Sequence, residues 1–400
     1  MEKQAFAGRA RLFHVASDEE IKSGRVADVY FQRTMDILAA KGVDKYVAGE
    51  VRARTLPRDW SWAALVGVEE CAHLFAGLDC SVTCLDEGTL FRAGDPVMLV
   101  EGNYTAFGLH ETAFLGFLCQ ASGIATGAAR CRIAAGDRVL LSFGARRMHP
   151  VLAPLIERAA YIGGCDGVSA MAGADLIGVE PMGTMPHALV LVMGDTVAAT
   201  QAFHEVVASH VRRISLIDTF QDEKFETLRV AEAMGEALFG VRLDTPGSRR
   251  GEFLEILREV RWELDLRGFQ DVRLFVSGGI DEAQIRHLNP AADGYGVGTS
   301  ISNAPTVDFA FDIVEIEGQP MAKRGKRSGA KQLWRCPACG ESRVTPRHVE
   351  KVTCACGQTT RPLLKPLIES GEIVRDLPIA KDIRQHVLTQ LTMLGPPLEA

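Results

Sequence analysis

Hydrophobic positions along the chain fall into two textures. Up to about residue 115, an acidic helical stretch (Ser17 to Lys41) gives way to short alternating segments broken by turns, among them Thr83-Cys84-Leu85 and Asp95-Pro96-Val97-Met98-Leu99-Val100. Alternation with period two marks strands buried on one face, so this part predicts a small α+β unit. From Glu111 to Arg132 the sequence is Ala-rich with a helical pattern. After it, short apolar runs recur, each stopping at polar, Gly or Arg residues. They are Val139 to Phe143, Ile214 to Ile217 before Asp218-Thr219, Val241 to Leu243 before Asp244-Thr245, Val272 to Val276 before Ser277-Gly278-Gly279, and Tyr295 to Val297 before Gly298-Thr299.

The ends of these runs are spaced like a repeat. Asp218 to Asp244 is 26 positions, Asp244 to Ser277 is 33 and Ser277 to Gly298 is 21, close to the roughly 30 residues of a strand-helix-strand unit. Helical patterns fill the gaps. Phe253, Leu254, Ile256, Leu257, Val260 and Trp262 follow i, i+3, i+4 spacing, and Asp281 suits an N-cap after the double glycine. Parallel strands that present polar residues at their C-terminal ends predict an α/β barrel or doubly wound sheet with its ligand at that rim; five such ends favour the barrel. Beyond residue 310 come the alternating Ile313 to Gly318, a basic segment from Lys323 to Arg335, grouped cysteines, and a helical tail from Ile379 to Met393 ahead of Pro396-Pro397.

Composition narrows the class. A chain of 400 residues, 47% of them apolar, has room for two to three domains and a sizeable core, which excludes disorder and a disulfide miniprotein. Lys plus Arg at 44 against Asp plus Glu at 51 leaves a net charge of -7, so no general affinity for nucleic acid or acidic membranes is expected and any anion must be gripped locally. The first thirty residues hold no signal-like apolar run and no stretch reaches the roughly 18 apolar residues of a membrane span, so the expected location is cytoplasmic. Six cysteines (Cys71, Cys80, Cys84, Cys119, Cys131, Cys165) are scattered singly in apolar or Ala/Gly-rich segments, as reduced core thiols are.

Several segments carry candidate chemistry. Ser277-Gly278-Gly279-Ile280-Asp281 and Gly296-Val297-Gly298-Thr299 lie on successive strand ends. Glycine lets the main chain approach closely and aim several N–H groups at one point, so two such loops together predict a phosphate pocket, where a single one would be a plain turn. Phe143-Gly144-Ala145-Arg146-Arg147 sets guanidiniums beside a ring, suited to an anion and a flat heteroaromatic, or else to a solvated helix start over a core ring. Asp218 and Asp244 each emerge from a strand, where they would help hold Mg²⁺ or cap helices; Arg242, a charge within a strand, favours function for Asp244. In Gly183-Thr184-Met185-Pro186-His187, a turn presents an imidazole as a general base or phosphoryl acceptor, against the alternative of a structural histidine. Cys336-Pro-Ala-Cys339-Gly and Cys354-Ala-Cys356-Gly have the spacing of a closed structural zinc site, with four free thiols as the alternative.

Taken in order, Tyr30-Phe31-Gln-Arg33-Thr34, Glu101-Gly102-Asn-Tyr104, Glu111-Thr112-Ala-Phe-Leu-Gly116, the Phe-Gly-Ala-Arg-Arg segment, Gly-Thr-Met-Pro-His, Ile-Asp-Thr-Phe, Val-Arg-Leu-Asp-Thr and the two Gly loops resemble nicotinate phosphoribosyltransferase of the shorter archaeal and bacterial type, from about residue 15 to 330. The resemblance implies a type II phosphoribosyltransferase with three parts. Residues 1–115 would form an α+β open-faced sandwich completed by C-terminal strands, 116–305 an irregular α/β barrel, and 306–400 a return segment with a zinc knuckle at 336–356. It implies transfer of phosphoribose from 5-phosphoribosyl 1-pyrophosphate to nicotinate in NAD salvage, with Mg²⁺, and with ATP hydrolysis coupled through a phosphohistidine at His187. Phe143 would stack on the pyridine, with Tyr30 from a partner subunit on its other face, which implies at least a dimer. Arg146, Ser277, Gly278, Gly279, Gly298 and Thr299 would meet phosphate; Thr184 and Asp218 would also line the substrate site. Arg242 would sit near the pyridine substituent and Asp244 in the pyrophosphate and metal region.

Three other functions stay open on the sequence. Asp175 lies where nicotinamide-specific relatives carry an acid for the amide. Quinolinate phosphoribosyltransferase shares the expected fold but needs a more basic pocket. A non-enzymatic zinc ribbon that binds nucleic acid or protein would need a basic, aromatic surface around Cys336 to Cys356, for which Trp334, Lys331 and Arg335 are the available residues.

Overall fold

Residues 13–394 are described by the computed structural model; Pro396-Pro397 lies outside them. The first sheet is antiparallel, with seven strands in the order Gln319–Pro320, Phe309–Ile316, Tyr46–Ala53, Pro96–Asn103, Cys80–Cys84, Lys365–Glu369 and Glu372–Ile373. In Cys80–Cys84 alternate residues are buried, which is the period-two pattern expressed in space. In register, Val51 stands between Phe311 on one neighbour and Met98 on the other. Strands from beyond residue 305 therefore return to complete a sheet begun before residue 105.

Six parallel strands make the second sheet, in the order Gly167–Val168, Val139–Ser142, Gly294–Val297, Arg273–Ser277, Gly240–Leu243 and Ile214–Leu216. Leu140, Val241, Leu274, Val276, Tyr295 and Val297 are fully buried, as expected for parallel strands covered by helices. The register sets Ser142 beside Val297, Gly296 beside Ser277, Val276 beside Leu243 and Arg242 beside Leu216, so the C-terminal tips reach one rim. The sheet curls into a half-barrel, open between its edge strands Gly167–Val168 and Ile214–Leu216. All five strands expected from the apolar runs are present. The sixth has only two residues, too few to show a period.

The helix Glu111–Ala135 joins the two halves. Its Phe114 and Leu118 pack with the antiparallel sheet, while Ile124, Ala125, Ala128 and Ala129 belong to the half-barrel core. With the turn before it, the run Tyr104–Ala135 is long and apolar enough to cross a bilayer, contrary to the expectation that no stretch would be; 61% of its most apolar window is buried. A helix wedged between two cores needs apolar residues all round, which length and composition alone do not distinguish from a span. Elsewhere Phe253–Leu266 buries Phe253, Leu257, Val260 and Leu264 but leaves Trp262 exposed, so the tryptophan is not part of its inner face. The scattered cysteines are buried free thiols, except for the half-buried Cys119; burial pushes Cys84 and Cys131 up to about 12.

A third sheet pairs Lys331–Arg335 with Ser342–Pro346 and Arg361–Pro362. It turns inward the side chains that a nucleic-acid surface would need. Trp334 is buried and donates Nε1–H to Thr345 Oγ1 at 2.9 Å, Lys331 Nζ is paired with the buried Glu50 at 2.7 Å, and Arg335 donates to the Leu90 carbonyl and to Gln390. These residues are structural, which removes the feature on which the zinc-ribbon binding module depended.

Candidate active site

At the C-terminal rim of the parallel strands lies a cleft of about 380 Å³, lined by Phe143, Arg146, Arg242, Asp244, Ser277, Gly278, Gly279, Gly298 and Thr299 from the sequence expectation. Each is there because a strand stops there. Phe143 follows Val139–Ser142 and is held by its N–H to the Val297 carbonyl at 2.8 Å. Its ring lies across Gly296, where a Cβ would come within 2.3 Å of it, so the next strand must carry glycine for the ring to occupy the cleft floor. Gly278 and Gly279 have φ of 78° and 64°, a left-handed pair lining the cavity before Asp281 caps Glu282–Leu288 through the Gln284 N–H.

Arg242 is half-buried on Gly240–Leu243, the strand next to the edge strand Ile214–Leu216. Its Nη2 donates to the Met185 carbonyl at 2.9 Å, its Nη1 stands 3.4 Å from Ser277 Oγ, and its guanidinium lies 5.8 Å from the Phe143 ring centroid. Its Nε is buried without a hydrogen-bond partner. Burial lowers the Arg242 pKa, opposed by Asp244 and Asp218. Thr184 belongs to the same turn, its Oγ1 lying 3.4 Å from that Met185 carbonyl.

His187 begins the helix His187–Met193. Its Nδ1 is 2.9 Å from Thr219 Oγ1, and its Nε2 faces Asp244 Oδ2 at 3.6 Å and Asp218 Oδ1 at 3.9 Å. Asp218 Oδ2 accepts the Asp244 N–H at 2.8 Å, and Ser277 Oγ donates to Asp244 Oδ1 at 2.8 Å. Neither carboxylate caps a helix; Asp222 caps the one after Asp218. Burial pushes the Asp218 carboxyl up from the usual carboxylate range, with His187 and the Asp244 N–H pulling the other way. Asp218 Oδ1 is buried with no hydrogen-bond partner. Two carboxylates and an imidazole around an unsatisfied acceptor can hold a hard cation or transfer a phosphoryl group.

Tyr30 stands apart from this constellation. It is exposed on the helix Val29–Lys41, its hydroxyl donating to Asp28 at 3.1 Å and its ring packed on Phe31. Asp175 is exposed on the helix Met171–Ile177 and does not line the cleft. Arg147 and Ser300, which follow Arg146 and Thr299 in their motifs, also line it, and the residues that sequence reasoning missed include Asn303 and Arg58. Arg250 was missed as well: it donates from Nε to the Thr245 carbonyl at 2.9 Å and from Nη2 to the carbonyls of Ser277 and Gly278, tying two strand tips together. Arg147 was visible in its motif. Arg58 had no marker, since nothing local says that its loop reaches the barrel.

Outside the cleft lining, Cys336, Cys339, Cys354 and Cys356 bring their sulfurs within 4.8 Å of one another, with Cys336–Cys356 and Cys339–Cys354 at 3.5 Å. Tetrahedral zinc with bonds of about 2.3 Å sets sulfurs about 3.8 Å apart, so the cluster can hold such a metal.

The fold and the cleft define a phosphoribosyltransferase. The sequence matches the profiles for the quinolinate phosphoribosyl transferase N-terminal domain over residues 28–122 and C-terminal domain over residues 124–312. The nicotinate phosphoribosyltransferase pncB1 of Mycobacterium tuberculosis is 34% identical over 328 residues, 77% of this chain and 70% of that one. A crystal structure described as nicotinate-nucleotide pyrophosphorylase from Pyrococcus furiosus is 51% identical, covers 98% of this chain and 100% of its own, and superposes with a TM-score of 0.95. That of human nicotinic acid phosphoribosyltransferase shares the fold at 21% identity and a TM-score of 0.73, over 92% of this chain and 94% of its own. The chain belongs to the nicotinate phosphoribosyltransferase family.

Proposed function

We propose that the cleft joins nicotinate to 5-phosphoribosyl 1-pyrophosphate, releasing pyrophosphate and nicotinate mononucleotide for NAD salvage. The observation that carries this reading is the placement of Phe143, the unsatisfied Arg242 Nε and the two glycine loops around one cavity. A pyridine stacked on Phe143 presents its carboxylate to Arg242, while the phosphate end of the sugar meets the glycine N–H groups. The pyridine nitrogen forms a bond to the ribose C1 as the C1–O bond to pyrophosphate breaks, so the chain needs to orient and neutralise rather than supply a strong base. The buried, unpartnered Asp218 Oδ1 beside Asp244 fits a hard cation. When bound, Mg²⁺ would neutralise phosphate charge there.

His187 is the phosphoryl acceptor in this proposal: it takes the terminal phosphoryl group of ATP, releases ADP, and later yields the group to water. Thr219 orients its Nδ1 and the two aspartates face its Nε2. Tyr30, exposed and not among the residues lining its own cleft, is proposed to cap the pyridine of a partner subunit, making the active unit at least a dimer. The four cysteines are proposed to bind a structural zinc. Because the quinolinate phosphoribosyl transferase profiles match both halves of the chain, quinolinate is the competing substrate to test. Pyrophosphate release measured with nicotinate, nicotinamide and quinolinate, each with and without ATP, decides the matter: release with nicotinate, stimulated by ATP, is expected, and turnover of quinolinate alone would overturn the proposal.

A further inference from the structure

The cleft is built by the half-barrel with one exception. Arg58 lines the same cavity but comes from the segment between Tyr46–Ala53 and Ala63–Ala64, in the sandwich half. Its backbone lies at φ 51°, ψ 34°, and Asp59 follows at φ 53°. Only Glu317 and Ser370 share positive φ among the other non-glycine residues described, so two such residues in succession mark a strained turn of the kind found at ligand clamps. The flanks show what holds it. Leu56 and Trp60 are buried, whereas Arg58 between them is exposed. Anchoring both sides forces the intervening residues outward.

The turn is also tied to the phosphate loop. The Trp60 ring carries the Arg130 guanidinium 5.6 Å from its centroid, and Arg130 Nε donates to Glu282 Oε2 at 2.8 Å. Glu282 is the first residue of the helix that follows Gly278-Gly279-Ile280-Asp281. The guanidinium of Arg58 makes no hydrogen bond, ion pair or ring contact among the described residues. We infer that Arg58 binds phosphate: the sandwich half supplies a guanidinium that closes over the phosphate group held by the Gly278-Gly279 and Gly298-Thr299 loops. The inference rests on the phosphoribosyl-transfer reading of the cleft. Backbone N–H groups approach a tetrahedral anion from one side, and a planar guanidinium adds two parallel donors from the other. Arg58 thus grips the end of the sugar far from the reacting carbon, and it makes phosphate affinity depend on the seating of one half of the molecule against the other.

Arg58→Gly removes the guanidinium and relieves the left-handed strain in one change, so it separates binding from folding. Its thermal stability should equal or exceed that of the wild type, while the KM for 5-phosphoribosyl 1-pyrophosphate rises on the order of tenfold to a hundredfold. The KM for nicotinate should move by less than about threefold, and Arg58→Lys should recover part of the loss. A sugar-diphosphate KM within about threefold of wild type, or an equal rise in both KM values with lowered stability, overturns the inference. Should the wild type fail to use nicotinate, the reading of the cleft is what has failed. Calorimetric titration with inorganic phosphate then still judges the arginine: binding weaker by about tenfold in R58G supports it, and equal affinity refutes it.

Discussion

Substitution of Arg242 by lysine tests how the cleft chooses its pyridine. The side chain is half-buried, with Nη2 donating to the Met185 carbonyl and Nη1 beside Ser277 Oγ. Its Nε is left without a partner. A buried donor in that state costs about 1 to 3 kcal/mol, which a ligand acceptor recovers. The carboxylate of nicotinate supplies a charged acceptor, worth about 1.5 to 3 kcal/mol per bond, whereas the amide of nicotinamide supplies a neutral one, worth about 0.5 to 1.5 kcal/mol. Lysine keeps the charge but has no Nε–H and no planar fork. For Arg242→Lys, kcat/KM with nicotinate should therefore fall on the order of tenfold to a hundredfold. The fall with nicotinamide should be smaller by the difference between the two acceptors, about 1 to 1.5 kcal/mol, so the preference narrows by roughly fivefold to twelvefold. Initial rates of pyrophosphate release with each pyridine at saturating sugar diphosphate give both numbers. An equal loss for both pyridines would refute the reasoning, because it would make Arg242 a general support rather than the carboxylate's partner.

Other outcomes follow from the same geometry. His187→Ala should abolish stimulation by ATP and the accompanying ADP release while leaving ATP-independent synthesis, since the pyridine nitrogen needs no base; unchanged stimulation would remove His187 from that role. Cys339→Ser should deplete bound zinc, measured by metal analysis, and speed proteolysis between residues 336 and 356, because a structural site folds its own ligand loops. Asp175→Asn should leave the ratio of nicotinate to nicotinamide turnover unchanged, as the residue is exposed and outside the cleft. Burial pushes the Glu111 carboxyl up to about 7, with Asp312 adding to the shift and Lys323 opposing it. A raised folded pKa favours the protonated form, so this contribution to stability is full below about 4.5 and lost as pH rises through about 7. Thermal melts of Glu111→Gln should decline less than wild type over that window, and parallel curves would show that the group does not titrate there.

Much of the site was legible because each strand ends where its apolar run ends. Asp244, Ser277 and Gly298 each close a run in the sequence, and parallel pairing in near-equal register then brings those ends to one rim. The double glycine was readable for a related reason: only glycine takes two successive positive φ angles at low cost. Thr219 adjoins Asp218 and comes with it to His187, although its contact with Nδ1 had no signature of its own. The short edge strand Gly167–Val168 was not legible, because two residues carry no periodicity. The long helix was read correctly as helix and incorrectly as too short of apolar reach, since Ala and Gly that fit between two cores also fit a bilayer by composition.

What the sequence hid shares one cause. Local pattern records which face of a segment is buried, not which distant segment buries it. Trp334, Lys331 and Arg335 could only hint at a basic, aromatic surface, because the partners that cover them, Thr345, Glu50 and the Leu90 carbonyl, lie 11, 281 and 245 positions away. Arg58 is the converse case: an exposed turn residue whose importance depends on Trp60, Arg130 and Glu282, drawn from three separate elements. Its left-handed backbone is held by the packing of its neighbours and would be abandoned without them, since nothing in the arginine favours it. A residue held against its own preference at the mouth of an anion cleft is under tertiary control, which is why its function could be read only after the two halves had been placed together.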